Sequence, residues 1–135
     1  MTFYVQAGDF KNLYDQWEKM LPLCFTNTVF VTPWWQQAWW QHFGVEGELR
    51  LLSVGYGDEI MGIAPLMMRK KVLSFIGDTD LFDYHDFLAF QGKEDLFFEA
   101  LFDYLIKLDW ERVVLTSVPQ NSPTLQHFPM FAKRN

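Results

Sequence analysis

The chain has 135 residues, of which 50% are hydrophobic, 19% aromatic and 21% charged, so it can bury a core and is too apolar for intrinsic disorder. Its length corresponds to one domain or to part of one. The formal net charge of −6 argues against nucleic acid as a partner, because proteins bind polyanions largely by neutralising phosphates with lysine and arginine.

The single cysteine and the N-terminal residues bear on the cellular compartment. Cys24 has no second cysteine with which to form an internal disulfide or a zinc site of several cysteines. The first residues lack the basic and apolar segments of a secretory signal, and no apolar run reaches the ~18 residues of a membrane span. We therefore expect a cytoplasmic protein without a membrane span, in which Cys24 is a small buried hydrophobe.

Two helices are predicted in the N-terminal third. Apolar side chains recur at helical spacing from residue 9 to residue 21, and Pro22 ends the pattern. Thr32 followed by Pro33 is typical of a helix start, with a hydroxyl cap before a proline at the first helical position. This second helix is predicted to end at Gly44. It carries four tryptophans, at positions Trp34, Trp35, Trp39 and Trp40.

The middle of the chain has the pattern of an antiparallel meander. Four strands are predicted, and the first two are joined by a turn at Gly57 and Asp58. The predicted strands are residues 49–56, 60–68, 72–76 and 84–90. Pro65 lacks an N–H, so we expect the pairing of the second strand to break near it.

A long helix and a further strand follow. Residues 93–109 have a polar side chain at every fourth position and are otherwise mostly apolar, so this helix must be buried on most of its circumference. Residues 112–116 predict a strand, and a helix between two strands indicates a right-handed crossover onto one sheet. The fold class is therefore α+β, or mixed α/β. Residues 1–116 form the predicted domain, and residues 117–135, with three prolines, form an irregular tail.

Five stretches of the chain form a recognisable series: residues 30–44, 62–66, 75–78, 83–88 and 118–123. In this order, together with the order of elements, they resemble the GNAT acyltransferases. The closest resemblance is to the branch associated with cellulose biosynthesis (CelD-type) and to the Fem-like proteins with two GNAT units. The resemblance implies a GNAT-like N-terminal half, with residues 117–135 as the possible start of a second half.

The resemblance also implies a function. Such enzymes transfer an acyl group from acyl-CoA to an amine or a hydroxyl, including those of sugar or polysaccharide precursors, and this chain would supply the acceptor side. Its partners would be a small-molecule acceptor and the second GNAT half. GNAT enzymes bind the CoA pyrophosphate with a glycine-rich loop at a helix N-terminus. Here Gly92 stands alone, and Glu94 and Asp95 would repel a pyrophosphate, so we expect no acyl-CoA site in this chain.

Candidate binding residues lie between the third and fourth predicted strands and on the second helix. Four aspartates occur within nine residues, Asp78, Asp80, Asp83 and Asp86. The resemblance places this segment toward the cleft between two halves, so Asp83, Tyr84 and Asp86 are predicted to contact substrate. A solvated acidic loop and a Mg²⁺ or Ca²⁺ site, as in a metal-dependent hydrolase, are the alternatives. Trp34 is predicted to stack on substrate, whereas Trp35, Trp39 and Phe43 are predicted to form a core-facing stripe. No catalytic base is identified.

A non-catalytic interaction or dimerisation module is the alternative function. The sequence contains 14 phenylalanines, 6 tryptophans and 5 tyrosines, which is many for one small interior, so an exposed aromatic patch is expected. The helix at residues 93–109 also needs cover on more sides than one sheet provides. Both features favour a homodimer, the commonest symmetric assembly.

Overall fold

The computed structural model describes residues 3–134, with side chains as far as residue 131. Within this range the chain forms a mixed α+β fold of four α-helices and a six-stranded sheet. The elements in chain order are β1 (Phe3–Gly8), α1 (Phe10–Met20), α2 (Pro33–Phe43), β2 (Glu48–Tyr56), β3 (Glu59–Arg69), β4 (Val72–Phe75), β5 (Leu88–Ala89), α3 (Glu94–Leu105), β6 (Arg112–Val114) and α4 (Pro123–Arg134). The predicted fold class, α+β with a mostly antiparallel sheet, is confirmed.

The sheet has the order β1-β2-β3-β4-β6, and β5 pairs with β3 beyond the end of β4. All neighbours are antiparallel except β4 and β6, which are parallel. The chain therefore passes from β5 through α3 and returns to the same sheet, as the predicted crossover requires. A parallel pair needs such a long connection, because a tight turn can join only antiparallel strands.

The sheet separates two hydrophobic layers. Because successive side chains of a strand point to opposite faces, Leu51 packs with α1 and α2 while Leu52 packs with α3 and α4. The buried face of α3 consists of Phe97, Phe98, Leu101, Phe102 and Leu105. This helix is covered by the sheet on one side and by phenylalanines of α4 on another.

Pro65 interrupts pairing on one side of β3 only. On the β2 side the ladder continues past Pro65, which lies opposite Leu51, and its register shifts only further along, between Val54 and Gly55. On the other side, β4 pairs with β3 after Pro65 and β5 pairs with it before Pro65. The Pro65 carbonyl accepts a hydrogen bond from the Ile76 N–H at 2.9 Å, and a strand residue turns its N–H and C=O to the same side. The missing N–H therefore faces the gap between β4 and β5, as the predicted break requires.

Several expected elements differ in the structure. β1 was not expected; it is an edge strand whose alternate side chains, Phe3 and Val5, join the core. The strand expected at residues 84–90 is reduced to Leu88–Ala89, because the residues before it form a packed loop. The helix expected to reach residue 109 ends at Leu105.

The irregular tail expected at residues 117–135 contains α4 instead. Ser122 precedes this helix and its Oγ accepts from the Thr124 N–H at 3.2 Å, while Pro123 occupies the first helical position, where proline is favoured. Phe131 packs on Phe102 with ring centroids 4.6 Å apart. The tail therefore adds to the core of the preceding residues rather than leaving it.

Candidate functional site

The loop between β4 and β5, residues 76–87, is called the acidic loop below. It leaves the sheet at the gap beside Pro65 and packs against α2. Phe82 is its anchor: this ring is 2% exposed and lies 6.3 Å, centroid to centroid, from the rings of Trp35 and Trp39. The loop is therefore held in place by buried aromatic contacts rather than by regular strand pairing.

Asp78 fixes the first half of the acidic loop. Its Oδ1 accepts from the backbone N–H groups of Asp80 and Leu81, at 3.0 and 2.7 Å, in the way an aspartate closes a local turn. Its Oδ2 accepts from the Trp39 Nε1–H at 2.8 Å. One carboxylate thus ties the loop to α2 and sets the position of Leu81.

An open pocket of about 250 Å³ lies between α2 and the acidic loop. Its lining is almost wholly apolar, and seven residues form it: Trp34, Trp35, Ala38, Trp39, His42, Phe43 and Leu81. We call it the aromatic pocket. Trp34 and Phe43 are about half exposed, at 47% and 51%, so they are accessible to a ligand from solvent.

The buried face of α2 is not the expected one. Trp35, Trp39 and Phe43 were expected to face the core together, but only Trp39 is buried. The other buried positions of the helix are Pro33 and Gln36. Gln36 is 1% exposed and donates from Nε2 to the Phe30 carbonyl at 3.2 Å. The helix is therefore rotated from the expected orientation, and Phe43 is left on the pocket wall.

Asp86 lies in a buried cluster of hydroxyl groups. Its carboxylate accepts from the hydroxyls of Thr26, Ser122 and Thr124 at 2.6, 2.7 and 2.6 Å, and from the Phe87 N–H at 2.9 Å. Burial raises the pKa of Asp86, and the four hydrogen bonds oppose that rise without cancelling it. The cluster joins the acidic loop to the start of α4.

His85 is buried between two phenylalanine rings. Its imidazole stacks on Phe82 at 4.6 Å and on Phe75 at 5.7 Å. Among the described residues neither ring nitrogen has a partner in hydrogen-bonding geometry. Burial lowers the pKa of His85, while the nearby Thr116 backbone and the Asp78 charge act in the opposite direction. The neutral imidazole is therefore the form that this environment favours.

The N-terminus of α3 is occupied by the chain's own carboxylates. Glu94 Oε1 accepts from the Gly92 N–H at 2.8 Å, and Asp95 Oδ1 lies 2.7 Å from Nε2 of His127 on α4. Acidic side chains suit the positive end of a helix dipole. Their negative charges also oppose the binding of an anionic ligand at this helix end.

Cys24 has the environment of a structural cysteine. Its side chain is 4% exposed, and Sγ lies 3.3 Å from the Met20 carbonyl. Burial raises the pKa of Cys24 to about 12, with smaller contributions from the Asp86 and Glu94 charges. A thiol that stays protonated is a poor nucleophile, so the expected role as a small buried hydrophobe is confirmed.

Three of the four predicted substrate residues are exposed to solvent, and the fourth is buried. Trp34 lines the aromatic pocket, and Asp83 and Tyr84 are exposed on the acidic loop. Asp86, in contrast, is 2% exposed and its oxygens are engaged by hydroxyls, which suits a positioning role. Within residues 3–134, no three carboxylate, histidine or cysteine side chains are grouped as a metal ion requires.

Sequence reasoning missed the residues that complete the pocket: Ala38, His42, Phe43 and Leu81. One signal was present, because Gly77-Asp78 followed by Asp80 is a pattern that closes a tight turn and would have brought Leu81 back toward α2.

Within residues 3–134, no helix has the length and apolar character needed to cross a bilayer.

Comparisons of the chain with protein-family models, with curated proteins and with solved structures give no match. Function must therefore be inferred from the aromatic pocket, the acidic loop and the α3 N-terminus. The pocket lining offers aromatic surface and one imidazole, which suits binding better than bond-breaking chemistry.

Proposed function

We propose that this chain is the acceptor-side half of a GNAT-type acyltransferase, an enzyme that moves an acyl group from acyl-CoA to an amine or a hydroxyl. The aromatic pocket is the proposed acceptor site. The observation that carries the proposal is the order of the elements from α1 to β6: two helices, an antiparallel meander, a helix, and a strand parallel to β4. Between the unexpected elements β1 and α4, this is the order expected from the resemblance.

The gap beside Pro65 gives further support. In GNAT folds a splay lies beside the acyl-donor cleft, and here β3 has a gap in its pairing at Pro65, between the residues that pair with β5 and those that pair with β4. The acidic loop starts and ends at this gap, and its side chains Phe82 and His85 are both 2% exposed. The chain thus fills the region of the gap with its own side chains. This agrees with an N-terminal half that binds the acceptor, while another unit binds the acyl donor.

The α3 N-terminus supports the same division of roles. A pyrophosphate needs free backbone N–H groups and a positive local potential. Here the Gly92 N–H donates to Glu94, and Asp95 adds a second carboxylate in the first turn. Acyl-CoA would therefore be bound by a second GNAT unit.

Titration calorimetry with acetyl-CoA tests this proposal. We expect no saturable heat from the chain, because its helix N-terminus repels the pyrophosphate. A dissociation constant below ~10 μM, which corresponds to about −7 kcal/mol, would contradict the acceptor-side role. The double variant Glu94→Gln with Asp95→Asn is the matched control: it removes the repulsion, so weak binding that appears only in this variant supports the electrostatic reason.

A non-catalytic interaction module is the second candidate function. The observation in its favour is the exposure of large apolar side chains on one face, Trp34, Phe43 and Leu81. The second reason for expecting a dimer was that the helix at residues 93–109 needs cover on more sides than one sheet provides. This reason loses weight, because α4 covers part of α3 within the chain. Light scattering at micromolar concentration tests this candidate. A mass of twice 16.0 kDa for the chain, together with the mass of a single copy for the Trp34→Glu variant, supports the module. A monomer excludes the homodimer.

A further inference from the structure

We propose that the aromatic pocket binds an organic cation, specifically a small alkylammonium or trimethylammonium group. The proposal rests on the acceptor-side function only in treating this cation as part of the acceptor. The binding preference itself follows from the rings, the charges and the size of the pocket.

The rings provide the attraction. Trp34, Trp35, Trp39 and Phe43 all line the pocket, and a cation within ~6 Å of an aromatic ring centre is attracted to the ring face, most strongly in tryptophan. The volume of about 250 Å³ is below the ~300–1,000 Å³ of pockets for drug-sized ligands. A headgroup of a few heavy atoms is therefore the matching size.

The charged groups near the pocket come from the acidic loop and from Arg69. Six of the seven lining residues lie on α2, and the acidic loop contributes Leu81. Residues 33–43 and 76–87 together contain four aspartates and no lysine or arginine. Two basic residues contact the pocket lining. His42 is part of it, with Nδ1 2.8 Å from the Ala38 carbonyl, and Arg69 donates to the Phe43 carbonyl at 3.3 Å. The Arg69 charge is thus directed at a backbone carbonyl at the end of α2. The Asp78 carboxylate contacts the lining residue Trp39, so it is the negative charge that a cation in the pocket complements.

Asp78 strengthens the pocket in a second way. Its carboxylate accepts from the Trp39 Nε1–H, and an anion bound to the indole N–H polarises the ring so that its face becomes more negative. The same carboxylate holds Leu81 on the opposite wall through the loop turn. Asp78 is therefore a positioning residue whose charge also acts on the ligand.

A neutral sugar fits the pocket less well. Sugar rings need several hydrogen-bonding side chains beside the aromatic platform, and the lining is almost wholly apolar. The Trp39 N–H is already used by Asp78, which leaves the His42 imidazole and the Trp34 and Trp35 indoles as polar groups of the wall. An ammonium group bearing methyl groups needs only aromatic surface and negative charge.

The test compares choline with 3,3-dimethylbutan-1-ol, which has the same shape without the charge, and with glucose. Each is titrated into the ¹⁵N-labelled chain, and the indole N–H signals are followed by NMR. We expect choline to shift the Trp34 signal saturably and to bind at least ~10-fold more tightly than the alcohol. The proposal is overturned if the alcohol binds as tightly as choline or if glucose binds more tightly. It is also overturned if the Trp34 signal does not shift, or if its shift depends on the concentration of the protein rather than on that of choline.

Variants separate the sources of affinity. Trp34→Leu removes a ring, and Asp78→Asn keeps an oxygen for the loop turn while it removes the charge; both should weaken choline binding several-fold. Phe25→Leu and Asp58→Asn, an exposed aromatic and an exposed aspartate outside the pocket, are the controls and should leave it unchanged. Raising the salt concentration should weaken choline binding and leave that of the alcohol unchanged, because only the charged ligand is screened.

The two proposals can fail separately. If choline fails to bind while acetyl-CoA also fails, the cation site is wrong and the acceptor-side role stands. If acetyl-CoA binds tightly while choline also binds at Trp34, the acceptor-side role is wrong and the cation site stands.

Discussion

Replacing Asp86 should destabilise the fold far more than replacing Asp83, three residues earlier on the same loop. Asp86 accepts hydrogen bonds from three buried hydroxyls and one backbone N–H, whereas Asp83 is exposed. These hydroxyls belong to residues 26, 122 and 124, so the carboxylate ties together segments that are distant in the sequence. The comparison therefore measures what this cluster contributes to folding.

The size of the effect follows from the groups left without a partner. Asp86→Ala leaves three buried hydroxyls and an N–H to find other acceptors, and breaking a buried charged network typically costs ~3–5 kcal/mol. Asp86→Asn keeps one oxygen, which can still accept from Thr26 and Ser122, while its NH₂ meets Thr124 or the Phe87 N–H; we expect a loss of ~1–3 kcal/mol. Asp83→Asn should change the free energy of unfolding by less than ~0.5 kcal/mol.

Urea unfolding of the three variants at pH 7 provides the assay, with the free energy extrapolated to water. Similar losses for Asp86→Ala and Asp83→Asn would refute the reasoning, since they would mean that the hydroxyl cluster does not hold the fold together. A larger loss for Asp86→Asn than for Asp86→Ala would refute the assignment of donors and acceptors in the cluster.

The same variants test the sign of the pKa shift of Asp86. Burial raises this pKa in the folded state, so the folded chain binds the proton more tightly than the unfolded chain does. The contribution of Asp86 to stability is then fully present below the unfolded pKa and is lost as the pH rises through the folded pKa. The loss caused by Asp86→Asn should therefore be larger at pH 4 than at pH 7, and a smaller loss at pH 4 would contradict the shift.

Two further predictions concern packing and pH. Gly62→Ala should lower the free energy of unfolding by ~1–3 kcal/mol, because a Cβ at residue 62 would overlap the Phe97 ring and lie 2.8 Å from the Leu88 carbonyl oxygen. Gly47→Ala is the control in the same urea assay and should be nearly neutral, since the nearest atom to its new Cβ would be 3.4 Å away. His85→Phe should make the chain less sensitive to acid: burial lowers the His85 pKa, so the native chain loses stability as the pH falls below ~6.5, by at most ~1.4 kcal/mol per pH unit. Equal losses in both proteins between pH 7 and pH 5 would count against that role.

The helices α1 and α2 and the meander could be predicted because their signals are local. The Thr32 hydroxyl does accept from the Trp35 N–H, at 3.4 Å, and Pro33 begins the helix as its position indicates. The edge strand β1 was missed because only Phe3 and Val5 alternate toward the core, which is too short a pattern to recognise. Helix α4 was missed because prolines were taken as breakers, although Pro123 stands where proline starts a helix.

The candidate site was only partly predictable, because its contacts join distant residues. Asp83 and Asp86 are alike in sequence, yet one is exposed and the other is buried. The difference comes from Thr26, Ser122 and Thr124, which no local pattern connects to the loop. Helical spacing separates Trp34 from the predicted core-facing stripe of Trp35, Trp39 and Phe43, but the pocket beside it depends on the position of Leu81, which the turn closed by Asp78 sets.

The central claim is that this chain offers an acceptor site and leaves acyl-CoA to another unit. One NMR experiment tests it most directly, in which the ¹⁵N-labelled chain is titrated in parallel with acetyl-CoA and with choline. We predict that choline shifts the Trp34 indole signal saturably, while acetyl-CoA leaves the backbone signals of Gly92 and Glu94 unmoved. Saturable shifts of Gly92 and Glu94 by acetyl-CoA, with a dissociation constant below ~10 μM, would contradict the claim.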